Sequence, residues 1–211
     1  MSFIDGGYMK LRVASLLRTG VALAALLTAY TANAEGLKPN EVVPVMGGET
    51  YSKVARVDTE AGVLVYRYIR DTETFEDWTT AVTYTLYRNP SVGDRPKSVA
   101  TVIVSSLQNS NPQAKYNLTG NDEGTEVVLD FLTWPADKEY MEYDVYRIES
   151  GQTGEGVYVL QFSVKFPYVE NMSEAQVKEL VTLRNGMVKQ VLQYNMTSVK
   201  SMLTSRYNST R

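Results

Sequence analysis

Trp78-Thr79-Thr80-Ala81-Val82-Thr83-Tyr84-Thr85-Leu86-Tyr87-Arg88 carries the clearest twofold alternation in the chain. Trp78, Thr80, Val82, Tyr84 and Leu86 fall on one side, and Thr79, Ala81, Thr83, Thr85 and Tyr87 on the other. Successive side chains of a strand point to opposite faces, so the pattern predicts a half-buried antiparallel strand with one apolar and one Thr-rich face. Asn89-Pro90 ends it.

Working outward, residues 51–57 and 63–70 read as two strands joined by the turn Asp58-Thr59-Glu60-Ala61-Gly62. Three further strand patterns lie at 125–134, 140–149 and 157–166. Their apolar sets are Val127, Leu129 and Phe131, then Met141, Tyr143 and Val145, then Tyr158, Leu160, Phe162, Val164 and Phe166. The joints between them are of hairpin length, which predicts an antiparallel meander.

Residues 95–108 admit two readings. Val99, Val102, Ile103, Ser106 and Leu107 lie on one helical stripe behind Pro96, whereas the β-branched run 99–104 favours a strand. A strand of fourteen residues is unusual, so length favours a helix. Near the end, Ser173 and Gln176 form a capping box ahead of a stripe of Val177, Leu180, Val181, Arg184, Met187, Val188, Val191 and Leu192. Asn185-Gly186 is a point where that helix could bend, because Gly costs about 1 kcal/mol in a helix interior. The expected fold is α+β: an antiparallel sheet of about six strands, with a middle helix and a long C-terminal helix packed on it.

The 211 residues include neither His nor Cys, which excludes Cys–His and Ser–His–Asp catalysis, thiol redox chemistry, disulfides and zinc sites built on those ligands. With 21 Lys+Arg against 24 Asp+Glu, the chain carries no electrostatic footprint for nucleic acid. No phosphate-binding glycine loop or serine-nucleophile elbow occurs, and no cofactor is implied.

Lys10, Arg12 and Arg18 precede an apolar stretch over 21–29 and the small-residue ending Thr31-Ala32-Asn33-Ala34. That order predicts a signal peptide over 1–34, starting at Met9 and cut after Ala34. The apolar stretch is too short to span a membrane, which takes about 20 residues; the alternative is an uncleaved amphipathic anchor. Residues 35–50, with Pro39, Pro44, Gly47 and Gly48, read as an extended arm, and 51–211 as a single domain. An exported domain without Cys points to a bacterial envelope, periplasmic or secreted. Four Asn-x-Ser/Thr triplets, at Asn117, Asn171, Asn195 and Asn208, leave glycosylation open.

With the other catalysts missing, carboxylates and tyrosines remain. Glu142 and Asp144 share one face of a strand, with Asp130 in its neighbour; the plain reading is a solvated acidic face, the functional one a polar groove completed by Arg67, Gln161 and Lys165. Among 15 tyrosines, those in strands read mainly as sheet packing, with Tyr140 and Tyr146 as candidates for a binding rim. Trp134, beside Pro135 at a strand end, is the aromatic expected to reach solvent.

The order of elements, with Phe75-x-x-Trp78 opening a strand and Asn111-Pro112-x-Ala114 linking a helix to a strand, resembles the Mog1/PsbP-like group. The resemblance spans about residues 51–195. It implies an α/β/α sandwich and a non-enzymatic binding or assembly role, and it transfers no functional residue. The expected function is thus an exported, non-catalytic domain that binds an envelope protein or cell-wall component. The alternatives are a carboxylate-dependent hydrolase of envelope polymers and a small-molecule or lipid carrier.

Overall fold

The alternating stretch becomes a strand, Thr80–Tyr87, but both of its faces are buried. The computed structural model describes residues 34–35, 41–59, 62–88, 93–152 and 154–209. Apart from Ala34, the expected signal peptide lies outside these, as does the Asn89-Pro90 stop.

In chain order the elements are β1 (Ala34–Glu35), β2 (Val45–Met46), β3 (Glu49–Thr50), β4 (Lys53–Thr59), β5 (Val63–Ile69) and β6 (Thr80–Tyr87). Then come α1 (Pro96–Ser110), β7 (Lys115–Gly120), β8 (Glu126–Thr133), β9 (Tyr140–Ser150), β10 (Val157–Pro167), α2 (Glu174–Gln193) and α3 (Met196–Asn208). Eight strands form one antiparallel sheet in the order β1-β4-β5-β6-β10-β9-β8-β7. The six expected strands make up its interior. The two extra ones are the edges: two-residue β1, and fully exposed β7, which has no buried side to mark it in sequence.

The expected arm is not extended throughout. Its residues 45–50 fold into the small hairpin β2–β3, which turns on Gly47 and Gly48 at φ +62° and +84°. Residues 95–108 settle as helix: Pro96 sits at the start of α1, and the stripe Val99, Ala100, Ile103, Val104 and Leu107 is buried. That apolar surface outweighs the β-branched preference for strand.

Helices cover both faces of the sheet. On one face, α2 and α3 pack over Leu64, Tyr66, Tyr68, Val82, Tyr84, Leu86, Val145, Tyr158 and Leu160. On the other, α1 packs over Val63, Val65, Tyr87, Val127, Leu129, Phe131, Tyr146, Ile148 and Val159. Beyond α1, residues 71–79 carry Phe75 and Trp78 onto Ile69 and Ala81. Trp78 therefore does not share a face with Val82, Tyr84 and Leu86 as the alternation suggests; it precedes the strand.

The capping box forms as expected, with the Gln176 amide donating to the Ser173 hydroxyl and the Ser173 amide to the Gln176 side chain. Helix α2 passes straight through Asn185-Gly186 and ends instead at Tyr194, whose hydroxyl meets that of Tyr84 at 2.5 Å. Arg147 donates to the carbonyls of Leu192 and Tyr194, both at 3.0 Å, and Asn195 caps α3 by accepting from Thr197 N at 3.0 Å. The break is thus set by a buried tyrosine and an arginine from the sheet, not by the glycine.

Candidate functional site

Strand β9 places Tyr140, Glu142, Asp144 and Tyr146 on the face that α1 only partly covers. Across the β9–β10 ladder Glu142 faces Lys165, Asp144 faces Ser163 and Tyr146 faces Gln161. Gln161 in turn faces Thr83, and Thr83 faces Arg67. Because antiparallel partners share a face, four strands, β9, β10, β6 and β5, lay a polar row across the sheet. Arg67, Asp144, Gln161 and Thr83 are each at least 95% shielded from solvent.

Asp144 is held from below and beside. Its Oδ1 accepts from Gln161 Nε2 at 2.9 Å and from Ser163 Oγ at 2.5 Å. Burial nevertheless raises its pKa, against those bonds and the charge of Arg67. Part of the Glu142 side chain meets solvent, yet the protein around its carboxyl, helped by the Asp144 charge, pushes it up to about 8 despite Arg67 and Lys165. The interaction between the two carboxyls raises Glu142 but lowers Asp144, where burial prevails against it. The Lys165 ammonium lies 3.8 Å from the Trp78 ring centre and 4.4 Å from that of Tyr140, and burial lowers its pKa. The Arg67 guanidinium approaches Trp78 from 5.3 Å.

Arg67, Tyr140, Glu142, Asp144 and Tyr146 are thus brought together, and the acids are not a solvated face. Asp130 goes elsewhere. It points at α2, where Arg184 Nε and Nη2 donate to its two oxygens at 2.8 and 2.9 Å, joined by Asn117 Nδ2 at 3.1 Å and the Tyr143 hydroxyl. Burial would raise the Asp130 pKa, but these donors together hold it below the usual carboxylate range. Trp134 also stands apart, half-buried and edge-on to Tyr168 with ring centres 6.2 Å apart.

Ser163, Thr83 and Trp78 complete the site although the sequence did not single them out. Ser163 shares its strand face with Gln161 and Lys165, and Thr83 lies on the Thr-rich face of its strand, which is the signal that could have found them. Arg184 likewise sits inside the apolar stripe of α2, and a charge there calls for a buried partner.

The row offers a neutral carboxylic acid near pH 7 beside an amine of lowered pKa, so it can hold or release a proton. Among the described residues no group of three or more carboxylates is placed to hold a metal ion, and no helix is long and apolar enough to cross a membrane. A separate open groove of about 680 Å³ runs between the β9–β10 turn and α3, lined by Ser150, Gln152, Thr197, Lys200, Ser201 and Ser205.

Comparison with curated proteins returned no match. A solved structure of a mutant of the protein Mog1 is similar to this chain, with a TM-score of 0.37 and 13% identity, over 76% of this chain and 95% of that one. A protein-family model matches residues 45–196, most of the chain, and the protein belongs to that family.

Proposed function

We propose that the protein is an exported, non-catalytic binding or assembly domain of the bacterial envelope. Export rests on the basic lead-in, apolar stretch and Ala-x-Ala-type ending of residues 10–34, and the envelope on an exported chain with no Cys. One observation carries the non-catalytic part. Asp144 through Oδ1, and Asp130 through both oxygens, accept from donors of the protein itself, as structural carboxylates do. A partner would meet the half-exposed rim of the site, Tyr140 and Lys165, where an apolar ring carries a polar tip. A second reading, hydrolysis of an envelope polymer, is favoured by Glu142 alone, since a carboxyl neutral near pH 7 suits a general acid.

The test is expression of the full chain, tagged at its C-terminus, in a bacterium, followed by fractionation, intact mass and mass spectrometry of co-purifying material. The expected product is the 177-residue form beginning at Glu35, outside the cytoplasm, with an envelope protein or cell-wall fragment attached. A full-length cytoplasmic product would overturn export. Cleavage of envelope polymers by the purified protein, lost in Glu142→Gln, would overturn the non-catalytic reading.

A further inference from the structure

Lys165 has two places to put its charge. Its cross-strand partner is Glu142, but the ammonium lies against Trp78 and Tyr140 instead. An ionised Glu142 opposite a lysine should form the cross-strand ion pair, because a full carboxylate attracts an ammonium more strongly than a ring face does. The observed choice fits a Glu142 that carries no charge. Its neighbour explains why: Asp144, two residues along the same face, is already fixed as hydrogen-bond acceptor for Gln161 and Ser163 and can accept from a protonated Glu142.

We propose that Glu142 and Asp144 hold a single proton between them, and that this proton works a latch in which Lys165 clamps Trp78 and residues 71–79 onto the sheet until the proton is lost. Every charged or titratable neighbour enters the balance. Arg67 from β5 and Lys165 from β10 favour loss of the proton; Asp144 on β9 opposes it. Tyr140 and Tyr146 on β9 have raised pKa values and stay neutral, and Asp77 acts on the site through Lys165. Burial decides in favour of the proton near neutral pH, and Glu142 releases it at about 8. Lys165 then turns from Trp78 towards the new carboxylate, and the indole loses the nearer of its two cations, keeping Arg67 at 5.3 Å. The latch does not depend on what the protein binds or where it is exported.

Trp78 reports the step directly, since the only other tryptophan is Trp134. In a Trp134→Phe background, the full chain is titrated from pH 6 to 10 while Trp78 emission and far-ultraviolet circular dichroism are followed. One emission transition is expected at a midpoint of about 8, with the dichroism unchanged. Adding Glu142→Gln, a permanent stand-in for the protonated acid, should abolish it and hold emission at the low-pH level. Adding Asp144→Asn should lower the midpoint by at least about one pH unit, because the like-charged neighbour is gone. A transition that survives Glu142→Gln, or none at all, overturns the latch. If a variant fails to fold, carbon-13 spectra of the glutamate carboxyls in the unmutated chain decide the matter. One carboxyl titrating above pH 7 supports the shared proton, and all of them titrating below pH 5.5 overturns it.

Discussion

Arg184 of α2 grips Asp130 of β8 through both carboxylate oxygens, at 2.8 and 2.9 Å, and so fastens α2 to the sheet. Asp130 is almost wholly buried while Arg184 stays partly exposed, so removing the arginine strands a charge in the interior. Arg184→Ala should cost roughly 3 kcal/mol, measured as a shift in urea midpoint. Arg184→Lys should recover only part of it, since an ammonium cannot match the two-pronged contact.

The acid limb of stability follows from Asp130 and Glu73. Burial acts to raise Glu73, but hydrogen bonds from Arg70 and Thr79 hold it down to about 2. A carboxyl whose folded pKa is depressed contributes stability above its unfolded pKa, near 4.5 for Glu73, and loses it as pH falls through the folded value. Thermal midpoints should therefore fall steeply between pH 4.5 and 2. In Glu73→Gln the slope over that window should be shallower.

Glu142 has the opposite sign. Above about 4.5 the unfolded chain releases this proton while the folded chain keeps it until about 8, so stability declines through that window and then levels. Glu142→Gln should match the unmutated protein in thermal midpoint near pH 4.5. Its advantage should grow steadily to pH 8. A difference independent of pH would rule this out.

The joint between α2 and α3 depends on a local cap. Asn195→Ala removes the acceptor for Thr197 N and should cost about 1 kcal/mol in chemical denaturation. Asn195→Asp keeps the acceptor and should be close to neutral.

Among the described glycines, Gly156 has the tightest surroundings. It has φ +93°, and a Cβ there would lie 2.1 Å from the Tyr87 carbonyl oxygen in the neighbouring strand. Gly156→Ala should destabilise by roughly 3 kcal/mol or more, since both strain and a backbone clash oppose it. Thermal denaturation would reveal it.

Much of the fold is legible one strand at a time, because a period of two needs only neighbouring residues. What alternation cannot supply is which face is which. Leu129 and Phe131 of β8 belong to the α1 side, while Tyr143 and Val145 of β9 belong to the α2 side, although each set reads as the core face of its own strand. With helices on both faces, no solvent side exists to align one strand with the next. For that reason Arg67, Glu142 and Asp144 could be named in advance, but Asp130 was grouped with them and lies on the opposite face.

The missing His and Cys, the capping box at Ser173 and the class of fold were determined by the sequence alone, since each depends on residue identity or near-neighbour spacing. The tertiary structure decided the ends and the charges. It broke the last helix at Tyr194, where Tyr84 and Arg147 reach it from the sheet, rather than at Gly186. It also turned two acids that read as solvated into a shielded pair, Asp144 buried and Glu142 partly exposed. Desolvation depends on what long-range packing brings over a side chain, and no local pattern records that.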